Sequence, residues 1–132
     1  MQIRTFRSGA AFTLVEIMIV VAIIGLLAAI AVPNFVRSRE TAQLNSIYNN
    51  LRLVDGFKDQ WALENRKPST AAPNEADLAP YFKNGKFPRP VVGETYELGS
   101  VNESSRASLP PNVTLIGLPG PFTAEGPLNS EF

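Results

Sequence analysis

The chain has 132 residues, twelve lysines and arginines against twelve aspartates and glutamates, and neither cysteine nor histidine. These counts exclude disulfides, the usual zinc ligand sets and the serine or cysteine nucleophiles that rely on histidine. Because no run rich in lysine and arginine is present, the composition also argues against a nucleic-acid partner. We therefore expect no catalytic site and no bound cofactor.

The first predicted element is an apolar run of about twenty residues from Phe12 to Val32, long enough to cross a bilayer as a helix. Its single charged residue is Glu16. A short polar leader that contains Arg4 and Arg7 precedes the run, which is typical of a targeting segment. A carboxylate in a membrane-length helix is unfavourable, so Glu16 is a candidate functional residue.

An amphipathic pattern follows Pro33. Apolar residues recur at three- and four-residue steps, which predicts a helix with one apolar face. These positions are Leu44, Ile47, Tyr48, Leu51, Val54, Phe57 and Trp61. Pro68 ends the pattern. If Pro33 bends the helix without ending it, a single helix of about fifty residues runs from Phe12 to Asn65. Gly25 and Pro33 both permit local melting, so the sequence leaves open whether the segment between them is helical.

The rest of the chain predicts a small head. Asn74 is expected to cap a short helix that ends before Pro80. Aromatic residues beside this helix are expected to anchor a core shared with the long helix, although they could instead form a binding surface. The aromatic residues are Tyr81, Phe82, Phe87 and Tyr96, and the expected partners on the long helix are Leu51, Val54, Phe57 and Trp61.

Two strands are predicted in the head, Thr95–Leu98 and Val113–Leu118. The polar, proline-ended connection between them argues against a tight hairpin, and residues 119–132 are expected to form an extended tail. The predicted fold class is therefore α+β: a long N-terminal helix followed by a head with a short helix and a two- or three-stranded antiparallel sheet.

The residues from Ala11 to Phe35, which include Phe12-Thr13-Leu14-Val15-Glu16, closely resemble the N-terminus of type IV prepilins and type II secretion pseudopilins. In that family a basic leader is removed just before a phenylalanine, the new terminus is N-methylated, and the fifth mature residue is glutamate. Counting Phe12 as first puts Glu16 fifth and Pro33 twenty-second, as in the family. The resemblance implies cleavage between Ala11 and Phe12, methylation of Phe12, and an assembly role for Glu16.

The resemblance also implies how the chain is divided and used. It implies a leader (1–11), a membrane and filament-core half of the helix (12–33), an amphipathic half (34–66) and the head (67–132). The expected partners are a prepilin peptidase and methyltransferase, inner-membrane assembly machinery, membrane lipid before assembly, and identical or related pilin subunits. The chain would first cross the inner membrane once, with its N-terminus in the cytoplasm, and later join a periplasmic or cell-surface filament.

Several alternatives remain open. Glu16 could complement its own helix terminus or its own amine instead of a neighbour's ammonium. Because the family usually has glycine before the phenylalanine, cleavage after Gly9 is an alternative, although it would make Glu16 the seventh residue. A secretory signal cut at Ala29–Ala31 would release a soluble protein. A single-span anchored binding protein that never polymerises is the alternative function.

The sequence outside the apolar run raises two further possible sites. Major secretion pseudopilins often hold calcium in a carboxylate-rich C-terminal loop, but the acids that follow Asp77 here are widely spaced glutamates, so no calcium site is expected. These are Glu94, Glu97, Glu103, Glu125 and Glu131. Arg37 and Arg39 follow the apolar run and could meet anionic lipid headgroups or form a solvated patch.

The mature N-terminus provides the first test. We expect the intact mass of the mature protein to equal that of a chain beginning at Phe12 with one added methyl group. The measurement reports leader loss, the position of the cut and methylation together. A mature chain that begins at Ala10 would contradict the assignment.

Overall fold

The structure is a computed structural model that describes residues 9–118 and 120–128. Arg4 and Arg7 of the predicted leader, and the last residues of the predicted tail, lie outside the described residues. The chain divides into two compact units between Val36 and Arg37. Helix α1, Leu14–Glu64, contributes to both.

In the first unit, every described side chain from Gly9 to Val36 is exposed. The helix is continuous through Gly25 and Pro33, so the segment that the sequence left open is helical. Pro33 has no N–H to donate to the carbonyl of Ala29, and the helix tolerates this missing bond. By length and composition, this apolar stretch is sufficient to cross a membrane.

In the second unit, the predicted apolar face of α1 is buried against the head. Leu44, Ile47 and Leu51 form one core with residues from the sheet and from the turn Leu115–Leu118, which we call the C-terminal turn. Those partners are Ala107, Leu115 and Phe122. The ring of Tyr48 meets Phe122 edge-on, with 5.9 Å between centroids. Beyond Val54 the prediction needs correction: Phe57 and Trp61 are only half-buried, and the buried stripe continues through Lys58 and Ala62.

The short helix is α2, Glu75–Leu78, and a 3₁₀ turn, Ala79–Tyr81, follows it. Asn74 is its N-cap, as predicted: the amide side chain accepts from the Asp77 N–H, and the Asp77 carboxylate accepts from the Asn74 N–H. This reciprocal pair satisfies two helix-end donors.

The predicted aromatic anchors form a continuous series of ring contacts. Phe57 of α1 meets Phe82 at 4.7 Å between centroids, Phe82 meets Phe87 at 5.5 Å, and Phe87 meets Tyr96 at 5.7 Å. All three pairs are edge-on, the arrangement that aromatic quadrupoles favour. These rings therefore pack with one another and join the long helix to the first strand.

Among the described residues, the sheet has four antiparallel strands in sequence order, one or two more than predicted. They are β1 (Thr95–Glu97), β2 (Arg106–Ser108), β3 (Phe122–Thr123) and β4 (Gly126–Pro127). Only β1 lies where a strand was expected, whereas β2 lies in the predicted loop and the other two lie in the predicted tail. Strands of two or three residues are too short to show an alternating pattern.

The predicted strand Val113–Leu118 is wrong. Leu115 and Leu118 form an isolated bridge across a two-residue turn, and both central residues, Ile116 and Gly117, have positive φ angles. The apolar character of this segment instead reflects Leu115, which is buried in the core.

Candidate functional site

The predicted cleavage site lies just before the long helix. Ala11 and Phe12 are exposed and non-helical, and α1 begins two residues after Phe12, at Leu14. The Phe12 side chain is 81% exposed. A protease must bind its substrate in an extended form, and backbone outside a helix can adopt that form without unwinding.

Glu16 forms a capping box with Thr13. The Glu16 Oε2 atom accepts hydrogen bonds from the Thr13 N–H at 2.8 Å and from its hydroxyl at 2.9 Å, while the Thr13 hydroxyl accepts from the Glu16 N–H at 3.2 Å. The carboxylate also faces the positive end of the helix dipole. This geometry matches the alternative in which Glu16 complements its own helix terminus.

The cap uses only one of the two carboxylate oxygens. All the hydrogen bonds that Glu16 accepts from described residues go to Oε2. Oε1 can therefore accept from another group while the cap stays closed, because a carboxylate has several acceptor positions. The two roles considered for Glu16, capping its own helix and pairing with a neighbour, are geometrically compatible.

Gly25 and Pro33 lie farther along α1 and make no part of this terminal turn. A Cβ atom at Gly25 would meet no atom of the described residues within 4 Å, so close packing within the described part of the chain does not require glycine there. A role for these residues in local melting stays a prediction.

The head contains a second polar centre, which the sequence analysis missed. Lys58 of α1 is 1% exposed, and its ammonium donates to three backbone carbonyl oxygens at 2.5 to 3.1 Å. These belong to Leu98, Ser100 and Glu103, in the connection between β1 and β2. The ammonium has three protons, so the carbonyl groups satisfy it completely. We refer to Lys58, Asp55 and these three carbonyl groups as the Lys58 site.

Asp55 supplies the negative charge of the Lys58 site. Its Oδ1 atom lies 3.2 Å from the Lys58 ammonium and accepts from the N–H of buried Ser105 at 2.9 Å. The Ser105 hydroxyl donates to the Leu98 carbonyl at 3.1 Å, a hydrogen bond between the two ends of the β1–β2 connection. One helical turn of α1 thus holds a loop that has no regular structure of its own.

Glu94 is the second buried ionisable side chain among the described residues, at 2% exposure. Its carboxylate accepts from the Val91 and Val92 N–H groups at 2.8 to 2.9 Å and from the Tyr96 hydroxyl at 2.7 Å. Asn50 of α1 in turn donates to the Tyr96 oxygen at 3.0 Å. Burial opposes the charged form of Glu94, but these hydrogen bonds outweigh it and hold the pKa of the carboxyl below its usual value.

Of the two buried ionisable residues, only Lys58 could have been recognised from the sequence pattern. Lys58 lies four residues after Val54 and four before Ala62, so it falls on the apolar stripe, where an unpaired lysine is unfavourable. Its position therefore indicated a buried partner, although not which one. Glu94 follows a proline-rich stretch and carried no comparable signal.

The chain is similar in sequence to known proteins. Residues 7–32 match the family model described as the prokaryotic N-terminal methylation motif. The type II secretion system core protein G of Klebsiella pneumoniae is 30% identical over 111 residues, which cover 74% of this chain and 79% of that protein. The chain belongs to the family of type IV pilins and type II secretion pseudopilins.

Both branches of the pilin and pseudopilin family appear among the relatives. The type IV major pilin PilA of Myxococcus xanthus is 42% identical over 69 residues, but the match spans only 31% of PilA and 52% of this chain. PilE1 of Neisseria gonorrhoeae, also a type IV major pilin, is 31% identical over 109 residues, covering 75% of this chain and 58% of PilE1. No solved structure matches the chain.

The Lys58 site predicts a large stability loss on substitution. We expect Lys58→Met to lower the free energy of unfolding by about 2–4 kcal/mol, since three loop carbonyl groups and the partly exposed Asp55 would lose the buried cation that binds them. Urea unfolding of the full chain in detergent, followed by fluorescence of the single tryptophan, measures the change. The exposed control Lys83→Met should stay within about 0.5 kcal/mol of the wild type.

The same site predicts that calcium is unnecessary. Because the Lys58 ammonium already binds the carbonyl oxygens of the β1–β2 connection, a chelator should leave the unfolding midpoint of the wild type unchanged. A marked decrease in the midpoint would contradict this.

Glu94 predicts acid sensitivity. Its folded-state pKa lies below the usual 4.5, so it stabilises the head at neutral pH and loses that contribution as the pH falls through and below 4.5. Glu94→Gln should flatten the dependence of unfolding free energy on pH between about 6 and 3, whereas the exposed control Glu97→Gln should retain the wild-type profile. An equally steep profile in Glu94→Gln would refute the assignment.

Proposed function

We propose that the mature chain is a structural subunit of a type II secretion-like or type IV pilus-like filament. The observation that carries the proposal is the first half of α1, where all described side chains are exposed and most are apolar. Water cannot cover such a surface favourably, but lipid can, and so can the same surface on other subunits. Family membership supports this reading.

Processing would prepare the chain for assembly. Hydrolysis of the Ala11–Phe12 peptide bond leaves a carboxylate on the released leader and a new ammonium group on Phe12. Methyl transfer to that nitrogen, accompanied by loss of a proton, keeps the amine basic. The mature chain then carries a cation at its first residue and the Glu16 anion one helical turn later.

Assembly would bring opposite charges together. In a staggered bundle, the Phe12 ammonium of one subunit can approach Glu16 Oε1 of its neighbour, while Oε2 keeps the Thr13 cap. A charge pair in a low-dielectric bundle is strongly favoured over an unpaired acid, so pairing would define the stagger between subunits. Before assembly the helix would remain in the inner membrane, with the leader side in the cytoplasm. We propose no catalytic activity for the chain.

Glu16→Gln separates the two roles of Glu16. Glutamine can still complete a capping box but carries no charge. We therefore expect Glu16→Gln and Glu16→Ala both to insert into the membrane and to give much less sheared surface filament than the wild type. Immunoblots of the sheared and membrane fractions measure the distribution, with Glu125→Gln as the head control.

A normal filament yield from Glu16→Gln would contradict the charge-pairing role. Wild-type protein found only in the membrane fraction would instead favour the anchored binding protein that does not polymerise.

A further inference from the structure

A cavity of about 740 Å³ opens on the head where the last turns of α1 meet the short helix α2. Gln60, Trp61 and Glu64 of α1 line it, together with Asp77 of α2 and Tyr81 of the 3₁₀ turn. We call it the Trp61 cavity. All its lining residues belong to the second compact unit, so the cavity is formed within that unit alone.

The side chain of Trp61 is not fully covered by its own chain. It is half-buried, and its indole makes neither a ring contact nor a hydrogen bond with any described residue. The ring of Tyr81, in contrast, packs against Phe57 with 6.2 Å between centroids. Tryptophan and tyrosine are enriched where a partner covers a protein surface. The free indole surface is therefore available to a group from outside the chain.

The cavity is acidic. Glu64 and Asp77 line it, Glu75 lies on the same short helix as Asp77, and among the described residues no lysine or arginine lines it. The Glu64 carboxylate accepts from the Tyr81 hydroxyl at 2.7 Å and from the Gln60 amide at 2.9 Å. These hydrogen bonds hold the pKa of the Glu64 carboxyl below its usual value, so it is charged at neutral pH. An aromatic face beside a fixed carboxylate suits a cationic side chain.

The same head carries a basic segment, residues 83–89. Lys83, Lys86 and Arg89 occur at every third position and are exposed. None of them makes an ion pair or a side-chain hydrogen bond with a described residue. The sequence between Asp77 and Glu94 contains no acid that could neutralise them. The basic segment and the Trp61 cavity therefore carry opposite charges that the chain does not pair internally.

We propose that the Trp61 cavity of one copy binds the basic segment of a second copy. Lys86 follows Gly85, whose φ of 62° turns the backbone at the middle of the segment. Its ammonium packs on the Trp61 ring and pairs with the Glu64 carboxylate, while Lys83 and Arg89 lie on either side. The proposal rests on the proposed filament function and names the head surfaces that meet in it.

The two surfaces are different, so the contact is heterologous. Each copy that binds through its basic segment still presents its own empty Trp61 cavity to the next copy. A heterologous contact repeats without limit unless its rotation closes a ring. This is the symmetry that a filament of identical subunits requires, and it favours a second copy over an unrelated cationic partner.

Chemical crosslinking tests the contact directly, because the chain has no cysteine of its own. Full-length Asn65→Cys, at the cavity, and Asn84→Cys, in the basic segment, keep every charged residue. The two variants are coexpressed with different epitope tags and treated with a short bismaleimide. We expect a mixed dimer that contains one chain of each kind, and none when either variant is expressed alone. Glu97→Cys in place of Asn84→Cys is the control and should give no mixed dimer. Circular dichroism melts check that the heads are folded.

Charge reversal tests the ion pair. Glu64→Lys and Lys86→Glu should each lower the yield of sheared filament about tenfold, because like charges would then face each other across the contact. The double variant Glu64→Lys/Lys86→Glu should recover most of that yield. Glu97→Lys, an exposed reversal elsewhere on the head, should assemble like the wild type. A double variant that recovers nothing would assign the cavity to a different cationic partner and overturn the proposal.

The two experiments separate this contact from the filament function. Normal wild-type filament without a mixed dimer would overturn the contact and leave the filament function standing. A dimer of two Asn65→Cys chains would overturn the contact too, because the cavity would then face its own copy. A mixed dimer in the membrane fraction of cells that make no filament would support the contact and refute the filament function.

Discussion

The second half of helix α1 can bury only one stripe of side chains, and the head is built against that stripe. Leu44, Ile47 and Leu51 meet the sheet and the C-terminal turn, while Phe57 begins the series of aromatic contacts that reaches β1. The strands have two or three residues each and bury little apolar surface by themselves. Contact with α1 therefore provides most of the apolar burial that holds the sheet together.

Buried polar side chains bind backbone groups beside these short strands. The β1–β2 connection has no helix or strand of its own, and the ammonium of Lys58 binds three of its carbonyl groups. In the same way, the Glu94 carboxylate accepts hydrogen bonds from backbone N–H groups beside β1. The buried cation thus binds backbone carbonyl groups, and the buried anion binds backbone N–H groups. Desolvation makes each group costly alone, so the complete set of hydrogen bonds is essential to its stability.

The terminal turn shows how a single residue can serve two purposes. Glu16 closes a capping box with Thr13 through one oxygen and leaves the other oxygen without a bond from any described residue. Capping and the proposed intersubunit pairing could compete for one carboxylate. Because the cap uses only Oε2, the proposed pairing would use the other oxygen, and the cap could form before assembly and persist during it.

Local patterns in the sequence were sufficient for several elements. The 3.6-residue periodicity predicted the buried face of α1 as far as Val54, and Asn74 followed by Asp77 predicted a cap that the structure confirms. The resemblance of the segment from Ala11 to Phe35 to the prepilin N-terminus predicted the family, which the comparisons confirm. Each of these signals depends on residues within a few turns of one another, where spacing alone determines geometry.

Only the tertiary structure revealed the strand pairings and the buried charged residues beside the sheet. Phe122 belongs to a two-residue strand because Ala107 lies opposite it, and the apolar segment around Leu115 is a turn whose leucine enters the core. Lys58 is buried because loop carbonyl groups forty or more residues away surround it. The sequence by itself determined the membrane-length helix, its amphipathic continuation and the processing motif. The strand pairings and buried charges depend on partners distant in the chain, and no local pattern records which residues those partners are.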